Sequence, residues 1–433
     1  LVAYYFNQLP WLGLFTNVVA VPVMGMLLVP IGLASGIWQI MAGGTGLPLA
    51  SLNQWLLEHY VAVVRLVSML PGGEWHVAAP SAFTMLLFYG CLVLLWHRGG
   101  RASFRLAAGT GVLLIVLWWA WSPRMFPDGD RFRVTFLDVG QGDSAVIELP
   151  DGQVVLIDGG ATYERFDMGR AVVAPFLWNR GIYAIDQVIG THPQLDHVGG
   201  LAWVVRHFIV KNYWGSGETR EEPFYRRLQE SLAFQGLQER VAREGQEIVS
   251  SNSCRMVVLN PPADESLDVP LHDSHVGGHI LNNRSVVTRL TCGTHTMLFA
   301  ADVERDGLSR MAGSTSQGPI EVLKVPHHGA VSSLNRDWLA SVHPQYAVFS
   351  AGRHNPYRHP AATVLDAYGA EGSTVLRTDR DGGVWFTGGV SDAALHVHRA
   401  RELVWQQTNS ASCLWTCEEA NWVRIWKQWD DSH

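Results

Sequence analysis

The chain has 433 residues, which is enough for two or three domains. Hydrophobic residues make up 48% of it, charged residues only 16%, and 18 residues are tryptophan, a composition that suits a protein lying partly in lipid. The net charge of -7 argues against a basic surface for duplex nucleic acid, so any contact with DNA must be local or assisted by a metal ion.

The N-terminal part has few charged side chains and predicts several membrane helices. Residues 11–41 contain no Asp, Glu, Lys or Arg. This stretch is longer than the roughly 20 residues that span a bilayer, and two prolines inside it predict a bent helix. Residues 79–96 and 104–121 are two further candidate spans. We therefore assign residues 1–122 to a domain of transmembrane helices.

The charges of this part predict an orientation. The basic loop at residues 97–105 is expected in the cytoplasm by the positive-inside rule, so the residues that follow the last span would lie outside. Residues 54–70 carry Glu58 and Arg65 within an apolar pattern, which predicts an interfacial amphipathic helix. Because the first residues lack an initiator Met and the basic region of a signal peptide, we expect the C-terminal part of a longer membrane protein.

Residues 130–400 have ordinary charge and alternate between strand and helix patterns. Glycine turns and helical segments separate the apolar stretches, as a sheet covered by helices requires. The predicted strands are residues 133–137, 144–149, 153–157, 185–189, 256–259, 285–290, 296–299 and 321–325, and the predicted helices are residues 172–178, 201–208 and 305–311. The domain is therefore predicted to be α/β.

The loop at residues 191–200 (THPQLDHVGG) concentrates metal ligands between a predicted strand and a predicted helix. Imidazole and carboxylate are the usual protein ligands of zinc and similar metals, so His192, Asp196 and His197 are candidate ligands. Gln194 lies in the same loop, but a neutral amide is a poor ligand for such metals compared with imidazole or carboxylate.

A second group of candidate ligands follows two later strands. Asp302 comes after the strand at residues 296–299, and His327 and His328 come after the strand at residues 321–325. Ligands at strand ends converge on one edge of a sheet, which predicts a common site with room for water. Asp302 has the alternative role of a helix N-cap.

Seven motifs resemble the ComEC family of competence proteins, whose soluble part belongs to the metallo-β-lactamase superfamily with its H-x-H-x-D-H signature. They are residues 136–144 (FLDVGQGDS), 156–160 (LIDGG), 191–200, 282–285 (NNRS), 298–302 (LFAAD), 324–329 (KVPHHG) and 355–360 (NPYRHP). Residues 6–22 resemble the last part of that family's membrane region. The resemblance implies a metallo-β-lactamase-like αββα sandwich preceded by transmembrane helices.

The resemblance also implies roles at the site. Asp302 would bridge two metal positions, one of which is weakened because Gln194 stands where the signature has its second histidine. His328 is favoured over His327 as a ligand because it directly precedes a glycine, as in the superfamily's later His-Gly motif. His327 is equally suited to bind the metal directly and to hold another ligand in place. Asp158 is expected to orient the ligand loop through hydrogen bonds. Asp138 and Asp143 flank a glycine turn, where an Asx-type turn is at least as good an explanation.

Further residues are candidates for handling substrate. Asp196 and His359 are the predicted catalytic residues. His359 is expected to position phosphate or to donate a proton to the leaving group, with turn-capping or loop-tethering as an equal alternative. Four others are expected to position phosphate, with turn-capping and loop-tethering as equal alternatives. They are Asn283, Ser285, Asn355 and Tyr357. A loose cluster of His272, His275 and His279 is interpreted as a solvated loop.

Two regions leave alternatives open. Cys254 and Cys292 lie at edges of predicted strands, and a disulfide between them requires an oxidising compartment. Residues 401–433 form a Trp-rich tail in which Trp422, Trp426 and Trp429 share one helical face. That face suits a membrane interface, packing on the enzyme domain or, less well, stacking on single-stranded bases.

The residues themselves predict metal-dependent hydrolysis and membrane attachment, and the resemblance implies a nuclease tethered outside the cytoplasmic membrane. Its cofactor would be one or two Mn²⁺ or Zn²⁺ ions, and its partners DNA, membrane lipid and the rest of a channel with its competence machinery. The resemblance implies that it degrades one DNA strand during uptake. The alternatives are a domain that binds DNA or a partner without catalysis, and a membrane-bound hydrolase of another phosphodiester or ester.

Overall fold

The computed structural model describes residues 1–43, 46–70, 72–97, 102–125, 130–163, 166–263, 278–315 and 320–401. The chain divides into two compact units, Leu1–Pro80 and Ser81–His433. The Trp-rich tail lies outside the described residues, apart from Arg401.

The first unit consists mainly of apolar helices. Its elements are α1 (Val2–Phe6), β1 (Gln8–Leu9), α2 (Trp11–Val23), α3 (Val29–Ala42), α4 (Ala50–Ser68) and β2 (Trp75–His76). A π-helical turn, Met24–Leu28, joins α2 to α3, so one helical stretch of 32 residues runs over Trp11–Ala42. Pro22 lies inside α2, just before this π-helical turn.

The second unit begins with two more apolar helices, α5 (Ala82–Trp96) and α6 (Ala102–Met125). Within the described residues, Trp11–Ala42 and Ala102–Trp119 are long and apolar enough to cross a membrane, and Ala82–Trp96 is a shorter apolar helix. Their large side chains are mostly exposed, as Leu86 and Leu106 illustrate. Helices that expose apolar side chains all round suit lipid rather than water.

Two mixed sheets follow. The eight-stranded sheet has the order β17-β16-β3-β4-β5-β6-β7-β8, and the seven-stranded sheet has the order β15-β14-β13-β12-β11-β10-β9. The strands of the first are β3 (Arg131–Phe136), β4 (Ala145–Glu148), β5 (Val154–Ile157), β6 (Ala184–Ile189), β7 (Ile209–Gly215), β8 (Glu239–Val241), β16 (Val384–Gly389) and β17 (His396–Arg399). Those of the second are β9 (Glu247–Ser250), β10 (Cys254–Asn260), β11 (Val287–Cys292), β12 (His295–Phe299), β13 (Val322–Lys324), β14 (Tyr346–Phe349) and β15 (Thr374–Arg377).

Helices cover the outer face of each sheet. Those of the first half are α7 (Ala174–Asn179), α8 (Leu195–Val198), α9 (Leu201–His207) and α10 (Pro223–Phe234). Those of the second half are α11 (Gly278–Asn283), α12 (Arg305–Thr315), α13 (Arg336–Val342), α14 (Ala362–Ala370) and α15 (Thr378–Asp381).

Alternation along the strands builds three separate cores. In β5, Val155 and Ile157 face the core between the two sheets, while Val154 and Leu156 face the core under the helices of the first half. In β12, Phe299 joins the central core and Leu298 joins the core under the helices of the second half. Successive side chains point to opposite faces of a strand, so a strand buried on both faces is apolar throughout. The layers are therefore αββα, and the predicted fold class is confirmed.

A disulfide joins the second and third strands from one edge of the seven-stranded sheet. Cys254 on β10 and Cys292 on β11 are directly opposite each other and are bonded. This pairing was left open by the sequence, and among the described cysteines Cys91 is free.

Candidate metal centre

The candidate site is built from loops at the ends of strands in both sheets. Asp158 directly follows β5, and the predicted ligand loop starts just after β6. On the other sheet, Asp302 follows β12, and His327 and His328 follow β13. The convergence of strand ends that the sequence predicted is therefore present, with each sheet supplying half of the site.

Four buried side chains form the centre of the site. Asp143, His197, Asp302 and His328 each offer a ligand atom, and these atoms lie within 4.8 Å of one another. Asp302 Oδ2 is 3.2 Å from His197 Nε2 and 3.4 Å from His328 Nε2. Asp196 Oδ2 lies 3.5 Å from His328 Nε2. The two Nε2 atoms and the two carboxylates thus face one small space.

The opposite nitrogen of each imidazole is already held. His197 Nδ1 is 2.9 Å from Asp158 Oδ2, and His328 Nδ1 is 2.8 Å from the backbone oxygen of Ser350. Asp158 also accepts hydrogen bonds from the amide and hydroxyl of Thr191. Hydrogen bonds to Nδ1 fix the ring orientation and leave Nε2 free to bind a metal. The contacts of Asp158 agree with the orienting role proposed for it.

Several polar atoms at this space are buried and unpaired. Within the described part of the chain, His197 Nε2, His328 Nε2 and Asp302 Oδ1 have no hydrogen-bond partner, and their polar contacts are ion pairs at 3.2 to 3.5 Å. Buried polar groups are nearly always paired, and an unpaired cluster needs an explanation such as an ion. A set of imidazole and carboxylate donors fits a divalent transition metal, so these residues fit the predicted cofactor.

Asp143 is a residue whose part in the site the sequence left undecided. Its Oδ1 and Oδ2 lie on the Nδ1 sides of His328 and His197, at 3.4 and 3.7 Å, and Oδ2 also pairs with the buried ammonium of Lys324. Asp143 therefore supports the imidazoles from behind more directly than it faces the space between the Nε2 atoms. Its turn needs Gly142, where φ is +134° and a Cβ would collide with the backbone oxygen of Asp196.

Lys324 was missed in the sequence. Its ammonium donates a hydrogen bond to the backbone oxygen of Ala301 at 3.0 Å and lies 3.5 Å from Asp302 Oδ1. A lysine at the end of a buried strand, directly before the residues Val-Pro-His-His, was the available signal. A buried lysine needs acidic partners, and this one has Asp143 and Asp302.

The neighbouring carboxylates strongly raise the pKa values of two imidazoles, those of His197 and His328. Burial alone would lower the pKa of His197, but the carboxylates of Asp302 and Asp158 outweigh it and raise that pKa well above its ordinary value. The pKa of His328 is raised well above its ordinary value in the same way, chiefly by Asp302 and Asp143 against the effect of burial. In the absence of a cation, protons on these imidazoles therefore balance the carboxylates.

The pKa values of the carboxylates shift in the opposite direction, below their ordinary values. Burial would raise the pKa of Asp143, but Lys324 and His328 lower it to about 2. The pKa values of Asp196 and Asp302 are held well below their ordinary values, since the neighbouring imidazoles outweigh the effect of burial. These carboxylates are therefore ionised at neutral pH and available as ligands.

His192 and Gln194 lie on the adjoining side of the site. The rings of His192 and His197 have centroids 4.2 Å apart, and His192 Nδ1 is 3.0 Å from the Thr191 hydroxyl. Burial, and then the charge of His197, lower the pKa of His192 to about 3. The Gln194 amide nitrogen donates a hydrogen bond to Asn282 Oδ1 at 2.6 Å.

Histidine and tyrosine rings form the outer wall of the site. His327 Nε2 is 3.8 Å from Asp302 Oδ2, and His327 Nδ1 is 3.3 Å from Glu304 Oε1. The ring of His359 stacks against His328 and against Tyr357, with centroids 6.4 and 5.8 Å apart. Burial, and then the charges of His328 and His327, lower the pKa of His359 to about 4.

Left-handed backbone aims the two adjacent histidines. His327 and His328 have φ values of 48° and 54°. Non-glycine residues rarely adopt this conformation, and clusters of such residues occur where function fixes the geometry. The turn places the two rings at 65° to each other, with both near Asp302.

Three of the four predicted substrate-positioning residues make structural contacts. Asn283 Oδ1 accepts hydrogen bonds from the amides of Glu304 and Gly307 at the start of α12. The Ser285 hydroxyl is buried and donates to the backbone oxygen of Asn282. Asn355 bonds the backbone of its own loop. These contacts correspond to the capping and tethering alternative, whereas Tyr357 is 65% exposed beside the site.

Asp302 is not the side-chain cap of α12, because Asn283 makes those contacts. Of the loose histidine cluster, His272 and His275 lie outside the described residues, and His279 is exposed.

Comparison with known proteins places the chain in a class. The family model described as metallo-beta-lactamase superfamily matches residues 137–353, half of the chain, and the chain belongs to this superfamily. A solved metallo hydrolase from the hyperthermophilic archaeon Ignicoccus hospitalis is 14% identical, with a TM-score of 0.39 over 59% of this chain and 98% of that chain.

The N-terminal part of the chain matches a second family model. A family model described as competence protein matches residues 1–101. "ComE operon protein 3" of Bacillus subtilis (strain 168) is 24% identical over 89% of this chain and 50% of its own length. "Competence protein ComA" of Neisseria gonorrhoeae is 27% identical over 94% of this chain and 52% of its own length. The chain thus joins a competence-protein segment to a metallo-β-lactamase domain, which confirms the ComEC resemblance. It spans about half the length of these relatives.

Proposed function

We propose that the chain is a membrane-attached, metal-dependent nuclease that acts in DNA uptake. The observation that carries this proposal is the set of unpaired Nε2 atoms of His197 and His328 facing the carboxylates of Asp196 and Asp302. These residues would hold a divalent cation, which would supply the Lewis acidity that phosphodiester hydrolysis needs near neutral pH.

The side chains around the cation have separate tasks. Asp158 holds the ring of His197, and the backbone oxygen of Ser350 holds that of His328, so both Nε2 atoms stay aimed inward. Asp196 is the most exposed of the central carboxylates, which places it at the mouth where substrate enters. His192, with its lowered pKa, adds a neutral imidazole beside them.

The outer rings are placed to meet the substrate. His359 lies between Tyr357 and the central imidazole of His328, which suits it to transfer a proton at the leaving oxygen. Tyr357 is exposed and stacks on His359, and a nucleobase can extend such a stack. Tyr163 is also exposed, and its pKa is raised first by burial and then by the nearby charge of Asp196.

The same proposal includes location and partners. The apolar helices support attachment to the cytoplasmic membrane as a multi-pass protein, in contact with lipid and with the remainder of a channel. The disulfide between Cys254 and Cys292 supports an oxidising compartment outside that membrane for the hydrolase domain. We propose that DNA reaches the site there, and that one strand is degraded while the competence machinery takes up the other.

Cleavage by the full chain in detergent tests the proposal. Labelled single-stranded and duplex DNA should be cut with Mn²⁺ or Zn²⁺ present, and Asp196→Asn should abolish cutting. The matched control is Asp366→Asn, the same change at an exposed position on α14. A folded, metal-loaded wild-type chain that leaves every DNA substrate intact would contradict the proposal.

One observation favours a second candidate, a domain that binds DNA or a partner without catalysis. Gln194 occupies a ligand position with a neutral amide and is bonded to Asn282. For this candidate the purified chain would hold no tightly bound ion, and His197→Ala would leave DNA binding unchanged. Hydrolysis of another phosphodiester or ester is separated from both by profiling substrates with the metal-loaded chain.

A further inference from the structure

We propose that this centre holds one divalent cation, and that a pair of amides and the ammonium of Lys324 occupy the surroundings that a second cation would need. The proposal rests on the metal site of the proposed function and specifies how many ions that site takes. The expected ligands of the one ion are His197, His328, Asp302 and Asp196.

The first argument concerns the donors next to His192. A second ion on that side would need His192 together with Gln194 and a shared oxygen of Asp302. The Gln194 amide nitrogen donates to Asn282 Oδ1 at 2.6 Å, and the Asn282 amide nitrogen donates to Glu304 Oε1 at 3.0 Å. The two amides are thus tied into a chain of hydrogen bonds.

This arrangement leaves too few ligands for a second ion. A neutral amide is a weak ligand for the metals that imidazole binds well. Protein zinc sites supply three or four imidazole, thiolate or carboxylate donors. The adjoining position offers one imidazole, His192, and a share of one carboxylate, Asp302, so an ion there is weakly held.

The second argument concerns the two oxygens of Asp302, which face different charges. Its Oδ2 is 3.2 Å from His197 Nε2 and 3.4 Å from His328 Nε2. Its Oδ1 is 3.5 Å from the Lys324 ammonium. A carboxylate can bridge two cations through both oxygens or through one shared oxygen. Here the first arrangement is opposed, because Oδ1 already faces a fixed positive charge.

The lysine is held where it is. Lys324 is 4% exposed, and its ammonium contacts Asp143 and the backbone oxygen of Ala301 as well as approaching Asp302. Charges interact strongly in a buried site, so this ammonium would repel a second cation bound to Asp302. Lys324 therefore gives positive charge to the acidic centre without a second ion.

Metal content of the full chain in detergent tests the proposal without measuring activity. The chain is loaded with Mn²⁺, freed of unbound ion, and analysed for metal per chain, with electron paramagnetic resonance to separate an isolated ion from a coupled pair. We expect one isolated ion in the wild type. Gln194→His should raise the content to two by supplying the missing imidazole, whereas Gln194→Leu should stay at one.

The outcomes separate this proposal from the nuclease proposal. Two coupled ions in the wild type would overturn the single-ion proposal but would not contradict the nuclease proposal. One bound ion without DNA cleavage would support the single-ion proposal and contradict the nuclease proposal. A wild type without bound ion would overturn both. If Gln194→His and the double variant Gln194→His with Lys324→Gln both hold one ion, Gln194 and Lys324 are not what prevents a second ion from binding.

Discussion

Asp158 and His197 are joined side chain to side chain at 2.9 Å, and both are fully buried, Asp158 directly after β5 and His197 on α8. The carboxylate fixes which nitrogen of His197 faces inward, while Thr191 fixes the carboxylate through two hydrogen bonds. The orientation of the His197 imidazole therefore depends on Asp158, although Asp158 does not face the space between the Nε2 atoms of His197 and His328.

Asp158→Asn should weaken metal binding while the fold remains. Loss of a carboxylate behind a metal-ligating histidine typically lowers metal affinity by about 10- to 100-fold. Titration of the metal-free chain with Mn²⁺ measures this, and Asp366→Asn on the exposed side of α14 is the matched control. Equal affinities for the two variants would show that Asp158 does not position His197.

Lys324→Met should destabilise the metal-free chain. The change keeps most of the side-chain volume but leaves Asp143 and Asp302 buried without their ammonium partner. Removal of one member of a buried ion pair typically costs about 3–5 kcal/mol. Chemical unfolding of the metal-free chain in detergent, followed by intrinsic fluorescence, measures the loss.

The control for this change is Lys211→Met. Lys211 pairs with Asp186 at the surface, where its side chain is 62% exposed. Surface pairs contribute little because water screens them, so stability should barely change. If Lys324→Met and Lys211→Met lower the free energy of unfolding equally, the buried ion pairs of Lys324 stabilise the fold no more than the surface ion pair of Lys211 does.

The raised pKa values of His197 and His328 predict a pH dependence. A group whose pKa is higher in the folded than in the unfolded chain stabilises the fold at low pH. This stabilisation is complete below the ordinary histidine pKa of about 6.5 and is lost as pH rises through the raised values. The metal-free chain should therefore unfold at lower temperature as pH increases above about 6.5.

Bound metal should remove this dependence. The imidazoles must lose their protons before Nε2 can bind an ion, so metal affinity should rise over the same pH interval. Thermal unfolding at several pH values, with and without Mn²⁺, checks both statements. A metal-free chain that gains stability with pH above neutrality would contradict the protonation of these imidazoles.

The covalent bond between Cys254 and Cys292 should stabilise the seven-stranded sheet. It closes a loop with a sequence separation of 38 residues. Chain entropy predicts a contribution of about 4 kcal/mol for a loop of this length. The double variant Cys254→Ser with Cys292→Ser should therefore unfold at lower denaturant concentration, and Cys91→Ser, a change at a free cysteine, should not.

The strand ends could be predicted from the sequence because each ligand directly follows an apolar stretch. Asp302 and His328 could be placed together before the structure was known, since parallel strand ends share an edge. The predicted helix at residues 305–311 corresponds to α12, which extends to Thr315. The predicted strand at residues 285–290 begins two residues early, because Ser285 and Val286 belong to the turn before β11.

The pairing inside the site could not be predicted in the same way. Asp143 and Lys324 are 181 positions apart in the chain, on different sheets, and only the packing of the two sheets brings their charges together. Gln194 was recognised as a weak ligand, but its bond to Asn282 depends on where α11 begins and ends. Local patterns locate ligands, whereas partners of buried charges depend on tertiary structure.

Tyr357 and His359 should affect different kinetic constants. Tyr357→Ala should raise KM for single-stranded DNA about 10-fold, because stacking of a base on an aromatic ring contributes about 1–3 kcal/mol. Tyr357→Phe keeps the ring and should behave like the wild type. His359→Ala should lower kcat about 100-fold or more with little change in KM, as expected for a group that transfers a proton. Burial, and then the charges of His328 and His327, lower the pKa of His359 to about 4 in the metal-free site. Full rescue of His359→Ala by added imidazole would support proton transfer by this ring. Equal effects of Tyr357→Ala and Tyr357→Phe on KM would instead assign the contact to the hydroxyl.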